Sequence, residues 1–315
     1  MRTLVIASEQ WMQYAGRFQA GLGDGWRVSA GTDDPEWLRR EIAGADALIA
    51  QSIAPAALPA AAGLKVFQFP GAGIPQLRPD AYPAGCKVVN VFEHGPAIAE
   101  FVMGVIVTHV TELERYRESF RSGSWEGSGR MGGAPHGEVS GKTLGLIGYG
   151  TIGHAVAPLA RAFGMRVIHV TSREGDLGEV LRESDFVLIA CPLTERTRGM
   201  IGAEQLALLK PSAYLINVAR AEVVEEGPLY EALRHGRIAG AALDVWYRYP
   251  ASGKDLAHGS EYAFHELPNV LATPHMSAWT WGLVERRIAR IVENLGRLER
   301  GEPLERVVFE GTWTA

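Results

Sequence analysis

Cysteine is nearly absent. Cys86 and Cys191 are the only two in 315 residues, and they stand far apart in apolar surroundings. This argues against a disulfide framework and reads as two buried thiols, in keeping with a reducing, cytoplasmic setting. Long apolar runs are also missing. No stretch reaches the roughly 20 residues that a bilayer-spanning helix needs. The short apolar run within Met1 to Ala7 reads as a first strand rather than a signal-peptide core. Positive charge is not in excess: 31 Lys and Arg against 36 Asp and Glu give a net charge of -5. Nothing therefore points to nucleic acid or an anionic membrane as partner. Tandem repeats and low-complexity segments are absent, and no metal site is expected.

What remains is ordinary for a soluble globular protein: 47% hydrophobic and 21% charged residues. The length suits two domains, each able to bury its own core. The stretch that organises the chain is Thr143 to Gly153. An apolar run from Leu144 to Ile147 ends in glycines at 148, 150 and 153, and helix-periodic residues follow. This is the strand, tight turn and helix start of a dinucleotide-binding unit. Gly148 permits the turn, Gly150 lets a pyrophosphate approach the backbone, and Gly153 lets helix and strand pack closely. The free N–H groups of the helix start suit a diphosphate. Tyr149, Thr151 and Ile152 fall within the same turn.

The rest of the chain alternates strands and helices. Strands are expected at Thr3 to Ala7, Trp26 to Ser29, Ala47 to Ala50, Leu64 to Phe69 and Lys87 to Val91, with a glycine-rich separator at Gly21 to Gly25. A helix is expected from Asp34-Pro35 to about Ala43. Pro96 opens one long helix from Ala97 to about Phe120, whose charged later part reads as a solvated face. A glycine-rich loop from Ser122 to Gly137 follows. After the glycine turn come strands at Arg166 to Val170, Phe186 to Ala190, Tyr214 to Val218, Ala239 to Val245 and Val270 to Thr273. An apolar-periodic helix from Leu283 to Leu298 is expected to return to the first unit. Parallel sheets with helices on both faces are implied. Polar residues close each later strand, where ligands of such sheets bind.

Several motifs now coincide: the glycine turn, Cys191 to Arg198, Asn217-Val218-Ala219-Arg220, Ala242-Leu243-Asp244-Val245-Trp246 and Thr273-Pro274-His275. In this order they resemble the D-isomer-specific 2-hydroxyacid dehydrogenases, glyoxylate/hydroxypyruvate reductases among them, over about residues 96 to 281. In the first unit Gly71-Ala72-Gly73 is the main match. The resemblance implies an α/β protein of two doubly wound domains, with a Rossmann cofactor domain (96–281) inserted in a flavodoxin-like substrate domain (1–95 and 282–315) and a cleft between them. It implies hydride transfer between a nicotinamide and a small 2-oxo or 2-hydroxy acid, and a homodimer formed through the cofactor domain. Arg220 would clamp the carboxylate and carbonyl, as its planar fork allows. His275 would donate the proton. The backbone of Gly71, Ala72 and Gly73 would receive the substrate carboxylate, with His94 and Trp279 lining the pocket. Cys191, Pro192, Thr197, Val218, Ala219 and Asp244 would join the glycine turn at the cofactor. Aromatics at 246, 247, 249, 279 and 281 suggest a pocket wall.

The sequence departs from that pattern at three places. Tyr249 stands where the family usually has a glutamate that charges the histidine. A tyrosine can orient an imidazole but brings no charge, so His275 should have a lower pKa than in relatives that carry the glutamate. The strand Val167 to Val170 ends in Thr171-Ser172-Arg173, where NAD-binding units carry an acidic residue. Lacking a carboxylate there, the turn predicts preference for NADP(H), with NAD(H) possible. Ala221 replaces a common glycine, a small change that carries no functional reading. Two other readings are a dehydrogenase of an unusual acid, formate- or phosphite-like, and a dinucleotide-sensing protein without catalysis. Retention of both Arg220 and His275 argues against the last.

Overall fold

The computed structural model describes all residues except 33, 75, 76, 251–254, 256 and 315. The chain divides into two compact units, Met1–Glu93 with Trp281–Ala315, and His94–Thr280.

Unit 1 begins with β1 (Arg2–Ala7), α1 (Glu9–Met12), α2 (Ala15–Leu22), β2 (Trp26–Gly31), α3 (Pro35–Ile42), β3 (Ala47–Ala50), β4 (Val66–Gln68) and β5 (Lys87–Val89). Its strands lie in the order β2-β1-β3-β4-β5 and run parallel, the flavodoxin-like order. Helix α3 starts as its sequence dictates: Asp34 accepts the Trp37 N–H at 2.8 Å, with Pro35 in the first turn. The expected separator at Gly21 to Gly25 is partly helix instead. A side chain at Gly21 would press on Val292, 3.0 Å away. The glycine there serves close helix packing, which composition alone does not reveal.

Unit 2 runs α4 (Gly95–Val110), α5 (Leu113–Arg121), β6 (Thr143–Ile147), α6 (Thr151–Ala162), β7 (Arg166–Val170), α7 (Leu177–Glu183), β8 (Phe186–Ile189), α8 (Ala203–Leu206), β9 (Tyr214–Asn217), α9 (Glu226–Arg234), β10 (Gly240–Leu243) and β11 (Val270–Ala272). The chain then returns to unit 1 as α10 (Trp281–Arg300) and β12 (Val307–Glu310). Strand β12 pairs antiparallel with β5 at the sheet edge, an element outside the strands expected above.

The expected helix from Ala97 to Phe120 is two helices bent by 59°. Glu112 adopts a left-handed φ of 50°, and Thr111 Oγ1 donates to Val107 O at 2.8 Å. The bend falls where the environment changes. Helix α4 packs Ile98, Val102, Val105 and Ile106 into the core, whereas α5 buries nothing. The α5 charges pair along its surface, Glu112–Arg115, Glu114–Arg117 and Glu118–Arg121. No single helix among the described residues is long and apolar enough to cross a membrane.

The unit 2 sheet has the order β7-β6-β8-β9-β10-β11, all parallel. Adjacent residues on each strand feed opposite cores. Leu144, Leu146, Leu188 and Ile216 face one side, and Ile147, Val187, Ile189 and Leu215 face the other. Burial on both faces is why these strands read as continuous apolar runs. The order reverses at β6, between β7 and β8. In such sheets the crevice at that switch point receives ligands. The dinucleotide-binding order 3-2-1-4-5-6 carries a further strand outside the second. Among the described residues it has no counterpart here, because residues 171–176 pass directly from β7 to α7.

Candidate active site

The turn after β6 sits at the switch point. Gly148 has φ 100°, and a side-chain carbon on it would lie 2.6 Å from Cys191 N and 2.7 Å from Ala190 C. Only glycine fits. At Gly150, by contrast, a methyl would meet nothing within 4 Å. That open space lies over the start of α6, whose first-turn N–H groups have no intrahelical acceptor, and Gly150 provides no side-chain cap. The arrangement fits a diphosphate by donor chemistry and by space. Thr151 and Ile152 begin the helix, and Ile152 packs on the core. Tyr149 stacks on His169 of β7, with ring centroids 4.3 Å apart.

The turn after β7 contains more than the sequence suggested. Thr171 Oγ1 accepts the N–H groups of Arg173 and Glu174, each at 3.2 Å. Ser172 and Arg173 are carried at its tip. Glu174 brings a carboxylate back into this turn, 2.8 Å from His169 Nε2. The expectation of a turn free of carboxylates is therefore corrected. The acidic group comes four positions after the strand end and is drawn to an imidazole, which strand-end counting misses.

After β8, Cys191 is buried and its thiol is pushed up by burial. Thr197 Oγ1 donates to Pro192 O at 2.7 Å and accepts from Thr194 N at 2.8 Å, closing that loop. After β9, Asn217 fixes the next loop. Its Oδ1 accepts from Ala219 N at 3.1 Å and its Nδ2 donates to Arg220 O at 3.0 Å. Val218 and Ala219 are buried beneath, and Arg220 Nη1 donates to Ala219 O at 2.6 Å.

The loop after β11 is anchored from β10. Asp244 is fully buried, and its carboxylate accepts from Thr273 Oγ1 at 2.6 Å, Met276 N at 2.8 Å and Ser277 N at 2.9 Å. Expected at the cofactor, Asp244 is observed holding the histidine loop. Trp246 Nε1 adds a bond to Thr273 O at 2.8 Å. Between these anchors His275 adopts φ 58°, a left-handed conformation a non-glycine residue holds only where the surroundings enforce it. Tyr249 Oη lies 2.8 Å from His275 Nδ1 and accepts the Trp246 N–H at 3.3 Å. The His275 pKa is lowered, first by desolvation and further by the Arg220 charge, against a raising influence of Asp244. Burial raises the Tyr249 pKa. Trp279 closes the same loop, its N–H donating to Met276 O at 2.9 Å, and His94 stands just before α4.

In unit 1 the turn after β4 is shaped through its carbonyls. Arg287 Nη1 donates to Pro70 O at 2.9 Å, Val91 N to Gly71 O at 3.1 Å, and Asn90 Nδ2 to Ala72 O at 2.9 Å. Among the described residues, the N–H groups of Gly71, Ala72 and Gly73 have no backbone acceptor. Arg287 also donates to Phe92 O at 2.9 Å, and Arg286 to Glu93 O at 3.1 Å.

With this geometry in view, similarity to known proteins is decisive. Residues 103–277 match the family model of the D-isomer specific 2-hydroxyacid dehydrogenase NAD binding domain. The chain belongs to the D-isomer specific 2-hydroxyacid dehydrogenase family. The D-3-phosphoglycerate dehydrogenase of Methanocaldococcus jannaschii is 33% identical over 87% of this chain and 53% of its own length. The glyoxylate reductase of Thermococcus kodakarensis is 37% identical over 65% of this chain and 64% of its own. The alignments thus span between about half and two thirds of these relatives. A crystal structure of an NADPH-dependent glyoxylate/hydroxypyruvate reductase from Sinorhizobium meliloti, in complex with NADP and sulfate, superposes with a TM-score of 0.78. It is 25% identical and covers 98% of both chains. Within this family member the supports of the motif residues escaped sequence reading. Asn217 lay inside a quoted motif, but its two-sided hold on the arginine loop did not show. Arg286 and Arg287 interrupt an apolar-periodic helix, a signal that would have marked them.

Proposed function

We propose that the chain reduces a 2-oxo acid to a D-2-hydroxy acid, with NADP(H) as preferred cofactor. The observation that carries this is the convergence of Arg220, Tyr249 and His275 at the carboxyl ends of β9, β10 and β11, each held by its own hydrogen bonds. Gly148, Gly150 and the start of α6 would hold the diphosphate. When bound, a reduced nicotinamide supplies the hydride. Arg220 offers a planar, permanent cation to the carboxylate and carbonyl of the acid. His275 delivers a proton to the oxygen that becomes the alkoxide. The N–H groups of Gly71, Ala72 and Gly73 are suited to the acid's carboxylate.

The cofactor preference rests on Arg173 at the tip of the turn after β7, with Glu174 committed to His169. The Sinorhizobium meliloti structure, an NADPH-dependent enzyme with NADP bound, supports it. A panel of 2-oxo acids from glyoxylate to phenylpyruvate, assayed by oxidation of NADPH and of NADH, tests both parts. Turnover on at least one acid, faster with NADPH, is expected. Tighter binding of NADH would overturn the preference. Cofactor binding with no turnover on any acid would overturn the reductase reading.

A further inference from the structure

We infer that Tyr249 is a positioning residue that decides which nitrogen of neutral His275 carries the hydrogen. The kinetic consequence rests on the reductase reading, but the tautomer itself does not.

A backbone N–H can only donate. Tyr249 Oη, 3.3 Å from Trp246 N, is therefore the acceptor in that bond. Its single hydrogen goes to His275 Nδ1, 2.8 Å away, because if the neutral ring donated to the second lone pair instead, that hydrogen would meet no acceptor among the described residues. A neutral imidazole has one N–H and one acceptor nitrogen. With Nδ1 accepting, the hydrogen sits on Nε2. A carboxylate in the place of Tyr249 can only accept. It would draw the hydrogen to Nδ1 and leave Nε2 with a bare lone pair. The hydroxyl can serve both protonation states. It donates to the neutral ring, and with its second lone pair it accepts from the imidazolium.

The surroundings leave this role to Tyr249. Asp244 and Arg220 are the charged groups acting on His275, and Glu222 joins them around Tyr249. The Asp244 carboxylate is occupied by Thr273, Met276 and Ser277. It fixes the backbone of the loop, including the left-handed φ of His275, while Tyr249 holds the ring. Tyr249 as a residue is 54% exposed, although its hydroxyl end is desolvated enough to raise its pKa.

Neutral His275 thus still offers Nε2–H to a carbonyl oxygen after the imidazolium has gone. As pH rises through the lowered His275 pKa, the transferable proton is lost and kcat falls. The KM for the 2-oxo acid stays flat. In Tyr249→Glu the fall in kcat moves up by about 1–3 pH units, because an opposite charge favours the imidazolium. Above that point KM also rises, because a lone pair then faces the carbonyl oxygen.

The direct test is long-range proton–nitrogen NMR on the full-length protein labelled with nitrogen-15 histidine, above the pKa of His275, with resonances assigned by their loss in His275→Asn. An unprotonated Nδ1 and a protonated Nε2 are expected in the wild type. Tyr249→Glu should reverse the pattern, and Tyr249→Phe should give averaged shifts from two exchanging tautomers. A protonated Nδ1 in the wild type, or an unchanged pattern in Tyr249→Glu, overturns the inference. The spectra need no turnover, so failure on every acid would sink the reductase reading and leave the tautomer assignment to stand or fall on its own.

Discussion

The two glycine turns solve one problem in opposite ways. Both follow a buried parallel strand, β4 in unit 1 and β6 in unit 2, and both present backbone N–H groups. The turn at Gly148 to Gly150 is local. A left-handed glycine and the 12-residue helix behind it do all the work. The turn at Gly71 to Gly73 has no helix directly behind it among the described residues. Its carbonyls are held by Val91, Asn90 and, from 217 positions away, Arg287. The guanidinium is buried deeply enough that its pKa falls to about 10. A helix start orients its donors by its own geometry, whereas a free turn must have its acceptors held by remote side chains.

Gly148→Ala should separate the two turns most sharply. Its methyl would lie 2.6 Å from backbone at a φ of 100°, so the turn must open. We expect a loss of about 2–4 kcal/mol in denaturant unfolding, and abolished NADPH binding by calorimetry. Retained binding would show that the local turn is not the cofactor's seat. Arg287→Met comes next. It keeps the aliphatic stem and strips the donors, leaving the Pro70 and Phe92 carbonyls without their partner. Each such group costs about 1–3 kcal/mol. The KM for the 2-oxo acid should rise about tenfold, the equivalent of about 1.4 kcal/mol, with cofactor affinity unchanged. Equal damage to both affinities would erase the distinction.

The same contrast explains what was legible in the sequence. The glycine turn at 148–153 was readable because its causes are contiguous. A strand, three glycines and a helix stand in order, and the observed φ at Gly148 follows from them. Arg220, His275 and Tyr249 were readable as motif positions, and the His275 pKa is lowered from its ordinary value. The first cause of that lowering is desolvation, which depends on packing that no spacing encodes. The holds on those residues were not readable, because Asp244 reaches 32 positions ahead to Met276 N and Asn90 reaches 18 back to Ala72 O. Glu174 was overlooked because it returns to the β7 end through a turn. The break at Glu112 was overlooked because the apolar period ends there while helix propensity does not.

Gly150→Ala gives the smallest and most selective effect. Its φ of −94° is ordinary for any residue, and a methyl would meet no atom within 4 Å. The fold should not register it, with stability unchanged within about 0.5 kcal/mol. The methyl would nevertheless occupy the space through which a diphosphate approaches the first N–H groups of α6. Cofactor affinity should therefore fall several-fold, measured by calorimetry, while thermal unfolding of the free protein stays where it was. Unlike Gly148→Ala, this variant introduces neither a left-handed φ nor a clash. An unchanged affinity would mean that the open space over α6 is not where the diphosphate lies, whatever Gly148→Ala had done.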